Sequence, residues 1–421
     1  IDTIIIDEIS MVRADLFDCV DKFLRLNGKN KSKSFGGVQM VFIGDLYQLP
    51  PVVKGKEREV FQTHYKSPYF FDAHVFKNFE VEFIELEKIY RQTDENFINL
   101  LNAIRNKSVT DADLKKINKR LNPDFEPNAD NFYINLTTTN KLSDEINSKE
   151  LGKLNSKLFT FNGKIKGDFD KSYLPTDEIL NVKVGSQVML LNNDQEHRWV
   201  NGTVGKITAI KEDEDKKATV EVRLEDGKTV DVKRHKWDLS RVVYNAETKK
   251  LESEIIGSFT QYPLRLAWAV TIHKGQGKTF EKIIVDIGSG TFTHGQAYVA
   301  LSRCTSLQGI VLKKPIEKKH IWMDWKIVRF LTQFQYDISE KSLSLDEKIR
   351  LIKSAIKSKS NLNIVYLKSN DQKSKRMIAP KKVGTMEYMQ KSYLGVEGYC
   401  FKRQDGRVFR VDRILELEIM K

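Results

Sequence analysis

The chain contains 421 residues, with 70 Lys and Arg against 57 Asp and Glu, so its formal net charge is +13. This excess of positive charge favours polyanionic partners such as nucleic acids. No apolar run approaches the roughly 18 residues of a membrane-spanning helix, and no signal peptide is visible, which predicts a cytoplasmic protein without a membrane partner. The three cysteines are far apart and lack metal-ligand spacing, which predicts a reducing compartment and no zinc site.

The first predicted element is a run of three isoleucines at positions 4–6, which is typical of a buried strand in a parallel sheet. Asp7 and Glu8 follow where that strand leaves the core. In NTPases with a phosphate-binding loop, acids at this place hold Mg²⁺ and activate the attacking water. Asp7 is therefore a candidate metal ligand and Glu8 a candidate base. The alternative is an ordinary buried strand with an acidic end.

A second apolar strand over residues 38–43 leads into a loop that starts at Gly44 and contains two prolines. Gly44 permits a tight exit from the strand, and the amide of Gln48 is suited to bind a γ-phosphate or its water. Further on, Arg91 precedes an amphipathic helix with apolar residues at 97, 100, 101 and 104. From there it could stabilise a transferring phosphoryl group, although an arginine at such a place is more often a surface residue.

Two later segments complete the pattern: Ala-Val-Thr-Ile-His-Lys-Gly-Gln-Gly-Lys-Thr at 269–279 and Tyr-Val-Ala-Leu-Ser-Arg at 298–303. In this order the segments resemble motifs II to VI of the Pif-type (petite integration frequency) DNA helicases of superfamily 1B, relatives of the RecD-type helicases. The resemblance covers about residues 1–335. It implies an α/β fold with two RecA-like motor domains, ATP and Mg²⁺ as cofactors, and 5′-to-3′ movement on single-stranded DNA tails and junctions.

The resemblance also implies roles for particular residues. The catalytic and nucleotide-contacting candidates are Asp7, Glu8, Gln48, Arg91, Gln276 and Arg303. The candidates for DNA contact, whose donor groups suit a phosphate backbone, are Thr138, Asn140, Thr271, His273, Lys274 and Thr279. Asn140 has a second interpretation as the N-cap of a helix predicted over 141–154, and both roles remain open.

An insertion with short strands and tight turns interrupts the second motor domain, and its predicted bounds are 166–257. Predicted strands at 187–191, 205–210, 219–224 and 229–232 indicate a small barrel. Residues 199–205 match the signature of the family's Src-homology-3-like subdomain, which pins DNA against the core. Trp199 could stack on a base, but a small barrel needs an aromatic core, and we favour the core position.

The C-terminal residues 346–421 predict a separate β domain behind a polar linker at 336–345. The positions of Tyr366, Arg376, Arg407 and Arg410 are similar to those in WYL domains, which are small Sm-like barrels. The resemblance favours a pocket for phosphate, single-stranded nucleic acid or a small ligand. A solvated basic surface is the alternative.

The expected domains are a partial first RecA-like domain at 1–84 and a second one formed by 85–165 and 258–335. No Gly-x-x-x-x-Gly-Lys-Ser/Thr loop occurs in the sequence, and 275–279 lacks the upstream glycine of such a loop. We therefore expect a piece of a longer, monomeric helicase of DNA replication, repair or recombination, and no ATP hydrolysis by these 421 residues alone. The alternative is a non-catalytic nucleic-acid-binding protein that uses its WYL domain.

Overall fold

The computed structural model describes all residues except 56, 87, 129–130, 213–217, 246–249, 289, 370–371, 389–390 and 421. Its sheets are parallel in the N-terminal part and in the middle of the chain, and antiparallel in the insertion and at the C-terminus. The predicted α/β class is thus confirmed. Among the described residues, no helix combines the length and apolar character needed to cross a membrane.

The first domain contains a two-stranded parallel sheet with helices on one side. Its elements are β1 (Thr3–Ile6), α1 (Ala14–Asn27), β2 (Gln39–Phe42) and α2 (Glu57–His64). A cluster of edge-to-face aromatic rings around Phe17 covers the inner face of this sheet. The outer face is uncovered in the described part, and Ile5 is 63% exposed there. The prediction that the isoleucine strand is buried is therefore wrong for the outer face.

The second domain is built from two pieces of chain that share one parallel sheet. The first piece contains α3 (Glu95–Arg105), α4 (Asp111–Asn118), β3 (Ile134–Thr137) and α5 (Asn140–Lys153). The second contains β14 (Ala269–Thr271), β15 (Ile283–Asp286), α6 (Gln296–Ser302) and β16 (Ile310–Leu312). The strand order is β14-β3-β15-β16, so β3 lies between two strands of the second piece. Its strands are almost fully buried, as in parallel sheets covered on both faces.

The inserted domain, residues 158–266, is wider than predicted. Its strands are β4 (Leu158–Asn162), β5 (Lys164–Gly167), β6 (Ile179–Lys183), β7 (Gln187–Leu190), β8 (Val204–Glu212), β9 (Ala218–Leu224), β10 (Thr229–Val232), β11 (His235–Asn245), β12 (Lys250–Gln261) and β13 (Leu264–Leu266). β4 pairs with β6 and β13 pairs with β7. β4 and β13 lie outside the predicted bounds of 166–257. They belong to the domain because their hydrogen-bond partners do, and composition alone does not show this pairing.

The predicted linker at 336–345 is mostly helical. The helix α7 (Trp325–Ser342) begins after Asp324, whose side chain accepts from Lys326 N, and ends three residues before α8 (Leu345–Lys357). A polar residue can be buried in this helix when its side chain has a hydrogen-bond partner. Ser339 is only 3% exposed, and its hydroxyl donates to Leu415 O at 2.7 Å. The motor and the C-terminus are therefore joined by a continuous helix.

The C-terminal domain, residues 345–419, packs α8 against a five-stranded antiparallel sheet. Its strands are β17 (Leu362–Leu367), β18 (Lys373–Tyr388), β19 (Lys391–Cys400), β20 (Asp405–Arg410) and β21 (Ile414–Ile419), in the order β20-β19-β18-β17-β21. A 3₁₀ turn at Val411–Arg413 separates β20 from β21. The domain has its own apolar core, centred on Ile352, Ile364, Val396 and Ile414.

Candidate nucleotide-binding cleft and nucleic-acid contacts

The two acidic residues lie at the carboxyl end of β1 and differ in environment. Asp7 is exposed, and its Oδ1 accepts the N–H of Glu8 at 2.8 Å. Glu8 has φ 51° and ψ 45°, a left-handed conformation that residues other than glycine rarely adopt. Such strain concentrates at functional sites. The backbone at the end of β2 packs closely against this turn. A Cβ on Gly44 would lie 3.0 Å from the Ile9 nitrogen, so only glycine fits there without a shift.

A short segment of the second domain, Gln276–Thr279, begins at this turn. Gln276 Nε2 donates to Glu8 Oε2 at 2.9 Å, which links residues 268 positions apart. Thr279 Oγ1 accepts from Arg91 Nε at 2.8 Å. The base candidate and one arginine candidate are therefore held by the same short segment.

Arg303 is the second arginine of the cleft and is only 1% exposed. Its guanidinium donates to Val299 O at 3.1 Å, to Lys278 O at 3.3 Å and, across the domain boundary, to Gln48 Oε1 at 3.5 Å. These bonds occupy several of its donors with fixed partners, so the head group is held in one orientation at the end of α6.

The electrostatics of the cleft favour an anion. Burial, and then the nearby charge of Arg91, lowers the pKa of Arg303 to about 10, and burial also lowers the pKa of Arg91. Two desolvated guanidinium groups that repel each other are stabilised by an oxyanion, for which arginine has matching geometry. Gln276 Oε1 is buried and has no hydrogen-bond partner among the described residues, so a water or hydroxyl donor fits beside it.

Asp7 fits a single contribution to a magnesium site. The described residues contain no group of three or more His, Cys, Asp or Glu side chains that could hold a metal ion. Mg²⁺, however, usually takes only one or two carboxylates and completes its shell with water and substrate phosphates. An exposed carboxylate next to the cleft is consistent with that mode.

Sequence reasoning missed residues that brace the cleft. Gln92 is buried, and its Nε2 donates to the carbonyls of Ser302 and Cys304 at 3.0 and 2.8 Å, on both sides of Arg303. Asp45, in the Gly44 loop, pairs with Arg105 of the second domain at 3.1 Å. In the sequence, these residues are marked only by their position next to motif residues such as Arg91 and Gly44. The pairing of Asp45 with Arg105, 60 residues away, leaves no local sequence pattern.

Comparisons with known proteins agree with this geometry. The sequence model described as PIF1-like helicase matches residues 1–115, and the WYL domain model matches residues 347–419. The ATP-dependent DNA helicase Pif1 of Campylobacter jejuni is 31% identical over 319 residues, which cover 73% of this chain and 68% of that protein. The crystal structure of Bacteroides Pif1 bound to ssDNA is 40% identical, with a TM-score of 0.62, over 78% of this chain and 74% of that one.

The chain belongs to the Pif1-like helicase family. Human ATP-dependent DNA helicase PIF1 is 33% identical over 316 residues, covering 73% of this chain and 45% of that protein. The chain thus spans about half the length of several curated Pif1 relatives. The predicted resemblance to Pif-type helicases, the RecA-like fold and the C-terminal WYL domain are confirmed.

Three of the predicted DNA contacts of this Pif1-like chain are buried. Thr138 is 6% exposed and its hydroxyl bonds to Ile287 O, while Thr271 is 5% exposed and its hydroxyl accepts from Lys274 N. Trp199 is 6% exposed in the core of the inserted domain, which confirms the core interpretation. Neighbouring elements cover these three side chains in this structure, so they present little surface to a DNA strand.

Three other candidates remain accessible. Asn140 and Lys274 are exposed, and the half-buried ring of His273 lies parallel to Phe292, at a centroid distance of 6.1 Å. The N-cap of α5 is Thr139, whose hydroxyl accepts from Leu142 N at 3.3 Å. The N-cap interpretation of Asn140 is therefore wrong. Thr279 faces Arg91 in the nucleotide cleft rather than this surface.

The four predicted WYL ligand residues lie in different surroundings. Arg410 pairs with Asp412 at 2.6 Å, and Tyr366 packs edge-on against Phe409 at 5.2 Å. Arg407 is exposed, with Asp405 4.0 Å away.

Arg376 has a different environment. Its Nη1 is buried without a hydrogen-bond partner in the described part of the chain. Burial, and then the charges of Arg376, Arg403 and Lys402, lowers the pKa of Lys368. Four cations therefore gather at one end of the sheet, at the place where β18 lies beside β17.

Proposed function

We propose that this chain supplies one side of the nucleotide site and part of the DNA track of an ATP-dependent 5′-to-3′ DNA helicase. The observation that carries the proposal is the meeting of Glu8, Gln48, Gln276, Arg91 and Arg303 across the boundary between the two domains. The solved Bacteroides Pif1 in complex with ADP-AlF3 and ssDNA, 40% identical over 78% of this chain, supports the same assignment.

In this proposal, bound Mg²⁺-ATP supplies the phosphoryl group and the metal charge. Asp7 would hold the metal through its exposed carboxylate. Glu8 accepts a proton from the attacking water at Oε1 or Oε2, and Gln276 keeps that carboxylate oriented. Arg91 and Arg303 stabilise the charge that develops on the phosphoryl oxygens. Because these groups come from both domains, they can act on the same phosphate only when the cleft is closed.

The proposed DNA track runs over the accessible side chains of Asn140, His273 and Lys274 in the second domain. Each presents a donor that can bind a phosphate oxygen without reading sequence. His273 belongs to the same loop as Gln276, three residues away, so movement of the strand and rearrangement of the cleft share one segment. The partner is thus single-stranded DNA.

The test uses a form of the protein that contains a phosphate-binding loop. Glu8→Gln is expected to leave nucleotide binding intact and to reduce DNA-stimulated phosphate release by roughly 10²-fold or more, because the base is lost. Arg303→Ala is expected to reduce turnover similarly. Arg120→Ala, which removes an arginine that bonds the carbonyls of Ile310 and Gln308 and no candidate catalytic residue, is the control. Wild-type turnover in either of the first two variants would refute the assignment.

For the C-terminal WYL domain we propose that Arg376 and its cationic neighbours bind a backbone phosphate of single-stranded nucleic acid. The unpaired, buried Arg376 Nη1 supports an anionic ligand. In a titration of the 421-residue chain with a labelled oligonucleotide, Arg376→Ala is expected to lower the affinity. The difference in affinity from the wild type should become smaller at high salt. Arg410→Ala is the control, since Asp412 already neutralises it. Equal effects of the two substitutions would contradict the proposal.

A further inference from the structure

We propose a second phosphodiester-binding site at the junction between the inserted domain and the second domain, formed by Arg265 and Lys278 and opening towards Lys274. The inference rests on the proposed function, because its ligand is the backbone of the same DNA strand. Of these three cations, only Lys274 belongs to the DNA contacts that the sequence suggests. Arg265 and Lys278 have no role in the cleft chemistry described above through their side chains.

The geometry joins the two domains. Arg265 on β13 is the cross-strand neighbour of Met189 on β7, so the two side chains leave the sheet on the same face. Lys278 comes from the motor side and places its Nζ 2.9 Å from Met189 Sδ. Its aliphatic end also fills the space over Gly202, where a Cβ would lie 3.0 Å from Lys278 Cδ, Cε and Nζ. The ammonium is thereby held beside the Arg265 strand.

These cations have no matching anion. No salt bridge of Arg265, Lys274 or Lys278 is found among the described residues, and a thioether is a weak acceptor for an ammonium. Within the described part of the chain, the Arg265 side chain makes one long hydrogen bond, from Nη2 to Pro175 O at 3.4 Å. Burial of the Lys278 ammonium without an anionic partner among the described residues is costly unless a ligand compensates it. A singly charged, oxygen-rich phosphodiester would do so and would also bind the half-buried Arg265 guanidinium.

Nearby charges agree with that interpretation. Burial, and then Arg265, lowers the pKa of Lys278 to about 8, and the same two causes lower the pKa of Lys274. Arg265 is the charged group acting on Lys278, whereas Lys274 also feels Asp144 and Asp177. A phosphodiester bound between Arg265 and Lys278 would raise the pKa of the lysine, so DNA binding should take up a proton near pH 8.

The site lies next to the nucleotide cleft along the chain. The main-chain oxygen of Lys278 accepts from Arg303, and the next residue, Thr279, accepts from Arg91. A phosphate drawn to the Lys278 side chain therefore acts on the segment that holds both arginines. This contact would give the inserted domain a direct effect on the cleft.

The test is binding of a fluorescent oligothymidylate to residues 1–421 at several salt concentrations. Lys278→Met keeps the contact with Met189 and removes the charge, and it is expected to weaken binding about threefold to tenfold and to reduce the slope of log K against log salt by about 0.7. Arg265→Gln should have a similar effect. Lys228→Met is the matched control, because it removes one charge from an exposed turn of the same domain, where Lys228 is 75% exposed beside Asp226.

The pH dependence of binding gives a second measurement of the same site. Because Lys278 loses its proton near pH 8 in the free protein, wild-type affinity should fall between pH 7 and pH 9 more steeply than that of Lys278→Met. If Lys278→Met had the same affinity, salt slope and pH profile as the wild type, the inference would be overturned and the helicase proposal would stand. No binding of the oligonucleotide by the wild-type chain would refute both the DNA track and this site.

Discussion

At the scale of single residues, burial separates groups that look alike in the sequence. Thr138, Thr139 and Asn140 are consecutive polar residues, yet the first is buried, the second caps α5 and the third is exposed. All three side chains have the chemistry to bind a phosphate. Only their surroundings distinguish a structural hydroxyl, a helix cap and a candidate DNA contact.

This distinction predicts opposite effects for neighbouring substitutions. Thr139→Ala is expected to destabilise α5 by about 1 kcal/mol, because the Leu142 N–H loses its acceptor, and to affect DNA binding only slightly. Asn140→Ala should leave the helix stable and weaken oligonucleotide binding. Hydrogen exchange of the first α5 amides and oligonucleotide titration measure the two effects separately. If Asn140→Ala exposed those amides instead, Thr139 would not be the cap.

At the scale of elements, α7 is the connection that matters most. Its first half packs the ring of Phe330 parallel to Phe71 of the first domain at 4.1 Å, and its second half bonds through Ser339 to β21. Lys348 of α8 is 2% exposed and donates to the same Ser339 hydroxyl at 2.8 Å. One helix therefore contacts both the motor and the WYL domain, without a flexible break between them.

Ser339→Ala is expected to lower the free energy of unfolding by about 1–3 kcal/mol, because the buried Lys348 ammonium loses its hydrogen-bond partner. Ser339→Ala with Lys348→Met should recover most of that loss. Ser342→Ala, one turn later on α7, is the control, since its hydroxyl bonds only the Ser339 carbonyl. Hydrogen exchange of the β21 amides in the whole chain reports the effect locally. Equal exchange in Ser339→Ala and the wild type would contradict it.

The same lysine predicts a pH dependence. Burial lowers the pKa of Lys348 in the folded protein, so between that pKa and the unfolded value of about 10.4 the unfolded chain binds more protons. Stability should therefore rise with pH in this window, and the cost of the buried charge should be greatest below it. Lys348→Met should lack this rise, as measured by β21 amide exchange at several pH values.

At the scale of the whole molecule, the described residues attach the WYL domain to the motor at three places. Besides α7, Lys373 pairs with Glu85 at 2.7 Å and Gln372 donates to Ser108 at 3.2 Å. Glu85 lies in the segment that joins the two motor domains and leads to Arg91. The WYL domain has its own core, but it is not connected by a free tether.

These attachments predict how the WYL domain behaves as a separate piece. A piece that starts at Ser344 retains the core and the α8 cap but loses Ser339, so the Lys348 ammonium is left without its partner. A piece that starts at Gln335 keeps this bond and is expected to melt at a higher temperature. Lys348→Met should stabilise the shorter piece and not the longer one. Thermal unfolding of the four proteins tests this, and equal melting temperatures would show that α7 contributes nothing.

The sequence by itself determined the family, the order of the motifs, most strands and the residues that meet in the nucleotide cleft. Period-2 and period-3.6 patterns, turns and motif residues are local, so they can be read without knowing which elements touch. Only the tertiary structure decided that Thr138, Thr271 and Trp199 are covered, that the polar linker is a helix and that the inserted domain extends to β4 and β13. It also revealed Asp45–Arg105 and the Arg265–Lys278 pair. Burial and pairing depend on residues up to 268 positions apart, as in Gln276 and Glu8, and no local pattern records such contacts.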